Sequence, residues 1–199
     1  MNTTQRGDAF EQRVFDALTD ELNNERLCAS PKHAKIFQRK AYHSRDRGSD
    51  IITDISIEVF LPNRSKPSFI WIFECKDYSG SIPVDDVEEF HAKIQQISED
   101  NTKGTIVTSG ALQRAARSYA QAKGIGIIRL LPGNQVEVLM EFMTTAGATR
   151  SAQVDWDEFD TALSIPSHRS RRAFFSEADG YFFGSWYSLL SHVFEQITV

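Results

Sequence analysis

Asp54 in the run TDISIEV, and Glu74 with Lys76 in FIWIFECKDY, are the residues of this chain whose types and spacing suit chemistry. A strand sends alternate side chains to opposite faces, so Glu74 and Lys76 project together while Cys75 points away. The run Phe69 to Phe73 before them is apolar, so a buried strand delivers a carboxylate and an amine at its polar end. Burying such groups is costly unless they are paired or put to use.

The partner acid follows from geometry. Between the two runs lies LPNRSKPS, whose Pro62, Asn63 and Pro67 mark the turn of a hairpin. If Leu61 faces Ser68, a register within one residue of that pairing sets Asp54 opposite Glu74 or Lys76. Asp50 would stand about 13 Å further along at the rise of a strand, so Asp54 is the better acid. Glu58 shares its parity but sits nearer the turn, which makes it the reserve.

Two carboxylates and a lysine converging on one point suit phosphodiester hydrolysis. Hard oxygen ligands hold Mg²⁺, with Mn²⁺ able to substitute, and leave positions for water and phosphate oxygens. Water held by such an ion is a far better nucleophile than bulk water. Lys76 can orient or help deprotonate that water, or offset charge on the phosphate. An E-x-K tripeptide alone is common on solvated strands; the hairpin around it gives this one its weight.

The elements that position these residues read coarsely. Phe10, Val14, Leu18 and Leu22 recur at four-residue spacing, an amphipathic helix from Thr4 to about Asn24, with Glu11 beside the apolar stripe. A strand near Ala34 to Tyr42 follows, then the hairpin from about Ile51 to Lys76. Pro83 opens a second helix with Val87, Phe90, Ile94 and Ile97 as its buried stripe and acids in its first turn. Gln95 and Gln96 on that helix read as surface residues. TIVT at 105 to 108 is a buried strand, Ser109 is a candidate N-cap for an Ala-rich helix from Ala111 to Lys123, and GIGIIRLL is another strand. The order α-β-β-β-α-β-α-β describes an α/β fold, a mixed sheet flanked by helices. PGNQVEVLMEFM reads as one more strand. Beyond it come DWDEFD, the basic run HRSRR at 168 to 172, and the aromatic-dense FFSEADGYFFGSWYSLLSHVFEQ, whose rings suit a core or a partner surface. The expected division is a core over residues 1–131 and a C-terminal extension over 132–199.

Composition sets bounds. At 199 residues the chain can bury one sizeable core. Cys28 and Cys75 are the two cysteines, and no signal peptide or long apolar stretch is visible, so a reduced cytoplasm and no membrane are expected. The formal charge of −5 arises wholly after residue 131, while the residues before it are balanced. Within that balance lies a basic run: Arg26, Lys32, Lys35, Arg39, Lys40, Arg45 and Arg47 against the single acid Asp46. Leading toward Asp54, it is the expected phosphate track, with Lys35, Arg39, Lys40, Arg45 and Arg47 as DNA contacts. The bland alternative is a solvated loop and edge strand.

RGDAFEQRVFDAL, TDISIEVF, FECKDYSGSIPVDDVEEFHAKIQQI and KGTIVTSGALQRAARSYAQAKGIGIIRL together resemble, in order, the PD-(D/E)xK nuclease superfamily, most of all its Mrr-type restriction endonuclease branch. The resemblance spans roughly residues 6 to 130 and implies a restriction-endonuclease-like sheet. It makes Asp54 and Glu74 metal ligands, Lys76 the catalytic lysine, and Glu11 the first-helix acid that helps hold a water. No proline precedes Asp54. The implied function is metal-dependent DNA cleavage in restriction or defence against foreign DNA, by a protein for which homodimerisation stays open. A non-cutting DNA-binding or assembly module on the same fold, and a repair or junction-resolving nuclease, are the alternatives.

Overall fold

The computed structural model describes residues 3–24, 32–97, 101–132, 155–170 and 172–195. Its first helix, α1 (Thr3–Asn23), buries the expected stripe of Phe10, Val14, Leu18 and Leu22. Each such side chain contributes roughly 1.5–3 kcal/mol when fully buried. The helix lies against a seven-stranded sheet built from β1 (Ala34–Gln38), β4 (Ile55–Val59), β5 (Phe69–Lys76), β7 (Thr102–Thr108), β9 (Gly126–Leu130), β10 (Phe174–Ala178) and β11 (Tyr181–Phe183), in that spatial order. β1, β4 and β5 are mutually antiparallel; β5, β7 and β9 are parallel; β10 and β11 return antiparallel. The fold is thus the mixed α/β sheet flanked by helices that the sequence leads one to expect.

The parallel strands are linked by α2 (Val84–Ile97) and α3 (Arg114–Ala122). Both cover one face together with α4 (Trp156–Ser164), around Ile70, Ile72, Phe90, Ile106 and Phe159. α1 and α5 (Trp186–Glu195) cover the other, around Ile55, Ile57, Trp71, Phe73 and Leu189. Alternation along β5 separates the cores: Trp71 and Phe73 face α1, Ile70 and Ile72 face α2. Gly104 on β7 permits the α2 packing, because a Cβ there would collide with Ile94 Cδ1 and press on Phe90.

Three departures from the expected element order have local causes. The strand foreseen over residues 34–42 breaks at Arg39, whose φ of 52° turns the chain out of the sheet. It then forms a separate hairpin of β2 (Ala41–Ser44) and β3 (Ser49–Ile52), closed through Gly48 at φ 62°. Ser109 does not cap α3, which starts after Gln113; a short parallel pair, β6 (Ser81–Ile82) with β8 (Ala111–Leu112), occupies the residues between. The aromatic-dense C-terminal run supplies β10, β11 and α5, so Phe174, Leu189 and Leu190 share a core with Phe10 and Val14. Residues 133–143 of the strand expected at 132–143 lie outside the described residues.

Candidate active site

The β4–β5 register settles which acid meets Glu74. Ile55 pairs with Phe73 and Val59 with Phe69, within one residue of the expected pairing. One step beyond Ile55, Asp54 stands at the bend that enters β4, and its Oδ2 accepts from the Cys75 backbone N–H at 2.7 Å. Asp50 belongs to the β2–β3 hairpin instead, exposed and 3.1 Å from His43 Nδ1. By parity Asp54, Ser56 and Glu58 on one strand, and Ile70, Ile72, Glu74 and Lys76 on the next, belong to the α2 face.

Glu74 is 6% exposed and accepts two ammonium groups on the same oxygen, Oε1: Lys76 Nζ at 3.3 Å and Lys93 Nζ at 3.0 Å. Lys93 arrives on α2 and also meets Glu89 at 3.3 Å. Burial works against the charge on each lysine, but Glu74 together with Asp86 at Lys76 and Glu89 at Lys93 outweighs it, and both pKa values end above the ordinary lysine value. Both are therefore ammonium ions at neutral pH.

Asp54 has a different balance. Burial, then the charge of Glu74, push its carboxyl up to about 6 against the Cys75 hydrogen bond, with Glu11 adding to the rise. Among the described residues no cation is paired with it. Cys75 itself turns to the α1 face, where burial and then Asp54 raise its thiol well above the usual value, so it remains a neutral packing group.

Glu11 reaches this corner from α1, 8% exposed. It accepts from Gln38 Nε2 at 2.8 Å and from Arg39 Nε at 3.1 Å, and Arg39 also pairs with Asp8. Glu11 and Asp8 both raise the Arg39 guanidinium above its already high value. Asp77, just beyond Lys76, joins the strand ends: Ser109 Oγ donates to it at 2.6 Å and Arg6 pairs with it at 3.4 Å.

The expected DNA contacts are not one continuous track. Arg39 is engaged with Glu11 and Asp8, and Lys40 donates to Glu58 at 2.6 Å while lying 3.8 Å from the Phe37 ring centroid. Lys35 is exposed beside the Phe60 ring. Arg45 and Arg47 lie in the exposed β2–β3 turn, where Arg47 donates to Gln96 at 2.8 Å. Gln95 is a surface residue. Arg26 and Arg171 lie outside the described residues, and Arg172 pairs with Glu158 at 3.4 Å.

Sequence reading missed Lys93. Its position carried a signal, since it follows Phe90 by three residues and precedes Ile97 by four, which puts it on the stripe α2 turns toward the sheet.

The donor set can be tested against the divalent cation implied by the fold. Among the described residues no three His, Cys, Asp or Glu side chains form a ligand cluster. What the site offers is a pair of neighbouring carboxylates, Asp54 and Glu74, with the Asp54 proton affinity raised by burial and then by the charge of Glu74. A hard ion that keeps several of its own waters needs no more than one or two carboxylates, so Asp54 and Glu74 fit it.

A family model described as restriction endonuclease, the Mrr catalytic type, matches residues 7–140. No curated protein matches the chain. Among solved structures, a protein of unknown function designated AF1548 aligns at 15% identity with a TM-score of 0.41, over 57% of this chain and 55% of its own. This chain thus spans about half the length of that protein. No helix among the described residues is long and apolar enough to cross a membrane. By the extent of the family match, which takes in Glu11, Asp54, Glu74 and Lys76, the chain belongs to the Mrr-type restriction endonuclease family.

Proposed function

We propose that this protein is a Mg²⁺-dependent DNA endonuclease acting in restriction or defence against foreign DNA. The observation that carries the reading is the Asp54–Glu74 carboxylate pair at the end of a buried strand, with the Lys76 ammonium 3.3 Å from Glu74. Asp54 and Glu74 would hold the cation, which when bound supplies Lewis-acid polarisation of the phosphate and a more acidic water. In the reaction a water oxygen bonds to phosphorus as the water gives up a proton to solvent, the P–O ester bond breaks, and the departing alkoxide takes a proton from solvent.

The chain's own groups have separate tasks. Lys76, held charged by Glu74, acts by stabilising negative charge on the pentavalent phosphate more than by abstracting a proton. Glu11, its charge partly offset by Arg39, orients the water. Lys35, Arg45 and Arg47 contact phosphates of the flanking duplex, while Arg39 and Lys40 act on the DNA only through the acids they hold. Residues 1–131 carry the chemistry, and residues 132–199 form an extension whose described part closes the sheet beyond β9.

The test is incubation of the purified protein with plasmid, linear, methylated and single-stranded DNA in Mg²⁺, Mn²⁺ or EDTA. Cleavage that EDTA abolishes and that Glu74→Gln lacks supports the reading. Intact DNA under every condition contradicts it.

A further inference from the structure

Lys93 is the feature of the site that the family pattern does not explain. Its ammonium lies 3.0 Å from Glu74 Oε1, closer than Lys76 at 3.3 Å and on the same oxygen. The carboxylate carries one charge and needs one counter-ion; here it has two. Asp54, the neighbouring acid, makes no ion pair among the described residues; its direct partner is the neutral Cys75 N–H, and Lys93 acts on its charge only from a distance. Both lysine ammonium groups that meet this carboxylate pair therefore sit on the one carboxylate that a divalent cation would also need.

The two lysines are anchored differently. Lys76 sits on β5, fixed in the sheet two residues from Glu74, and its side chain is 20% exposed. Lys93 reaches across from α2 on four carbon–carbon bonds, is 21% exposed, and has a second acid, Glu89, at 3.3 Å on its own helix. That carboxylate is 63% exposed, so the Lys93 ammonium can leave Glu74 without losing all charge compensation. A flexible ammonium is suited to such an exchange because it is a point charge with rotatable donors, unlike the planar fork of arginine.

We propose that Lys93 is the resident counter-ion of Glu74: it neutralises that carboxylate while no divalent cation is bound, and yields it when one binds. Displaced from Glu74, its ammonium stays within the same corner and meets a nonbridging oxygen of the substrate phosphate. The proposal rests on the nuclease reading, because it takes Glu74 as the cation's ligand. It gives Lys93 two effects of opposite sign, weakening metal binding and assisting turnover.

Lys93→Met keeps the length of the side chain and removes the charge. In thermal melts with increasing Mn²⁺, the concentration giving half of the full stabilisation should fall by about tenfold, the scale of one unit charge removed from a half-buried site. Cleavage at saturating Mn²⁺ should fall by about a hundredfold, the loss expected for one charge-stabilising donor. Lys93→Arg, which returns the charge on a group that yields less readily, should raise the Mn²⁺ requirement back to the wild-type value or above it. A merely structural role would weaken both properties together. An unchanged or higher Mn²⁺ requirement in Lys93→Met overturns the proposal, as does unchanged turnover. If the wild type itself shows no Mn²⁺-dependent shift, the nuclease reading and this inference both fall; if the wild type shifts and only the variant's tightening is missing, this inference alone falls.

Discussion

Asp54 and Glu58 are four residues apart on the same face of the same chain segment, and both are largely removed from water, yet the protein treats them differently. Glu58, 5% exposed, accepts from Lys40 Nζ at 2.6 Å and from the Tyr42 hydroxyl, which in turn lies 2.9 Å from Ser56 Oγ. Every member of that group has a partner, which is the condition for a buried polar network to be tolerated. Asp54 has one neutral N–H and an acidic neighbour, and its carboxyl is held at about 6. Burial is common to both. What separates the two acids is that the chain supplies Glu58 with an ion-pair partner and supplies Asp54 with none among the described residues.

That contrast can be broken most sharply by removing each charge in turn. Asp54→Asn should lower cleavage by roughly three orders of magnitude, since it removes a cation ligand and the charge stabilisation that depends on it. Glu58→Gln should leave the specific rate of the folded protein within about twofold, as a residue that touches no reacting group. Equal losses in plasmid nicking would erase the distinction.

Lys76→Met should lower kcat by about a hundred- to a thousandfold with KM for DNA nearly kept, the behaviour of a group whose interaction strengthens in the transition state. A rise in KM with kcat unchanged would make Lys76 a phosphate anchor instead. Lys40→Met should act on stability. It leaves Glu58 buried without its cation, at a cost of about 2–3 kcal/mol, below the full range for breaking a buried pair because the Lys40 side chain is 30% exposed. Urea unfolding at pH 7.5 reads this directly.

The smallest effect is on the pH dependence of melting. The folded-state carboxyl of Asp54 lies near 6, above its free value, so the folded protein binds that proton more tightly than the unfolded chain does. Ionised Asp54 therefore costs stability above pH 6, and the cost is relieved as pH falls through 6 toward the free carboxyl value. Without metal, Asp54→Asn should melt a few degrees above the wild type at pH 8, with the gap closing toward pH 4. A gap that widens in acid would mean that the Asp54 carboxylate is stabilised, not strained, by its surroundings.

Much of this arrangement is legible in the sequence because it follows from strand parity and turn chemistry. The prolines and Asn63, which adopts φ 64°, fix the hairpin closely enough to choose Asp54 over Asp50. Lys93 escapes because a lysine within an apolar helical stripe is easily taken for a boundary residue; only its meeting with Glu74 where α2 lies on the sheet gives it meaning. The intramolecular use of Arg39 and Lys40 is hidden for the same reason, since a run of basic residues does not reveal that their partners lie in α1 and β4. Arg39 also takes a positive φ without being glycine, and that turns the chain out of the sheet into the β2–β3 hairpin. The β10–β11 hairpin was within reach of pattern alone. Asp179–Gly180, both at positive φ between FFSEA and YFF, is a strong two-residue hairpin signal that the aromatic density around it obscures.

The central claim is that Asp54 and Glu74, and not Glu58, take up a divalent cation. Electron paramagnetic resonance of free Mn²⁺ during titration of the protein counts bound ions without reference to activity. The wild type and Glu58→Gln should both deplete the free Mn²⁺ signal, and Asp54→Asn and Glu74→Gln should not. A wild type that leaves the Mn²⁺ signal undiminished, or binding that survives both Asp54→Asn and Glu74→Gln, would contradict the account.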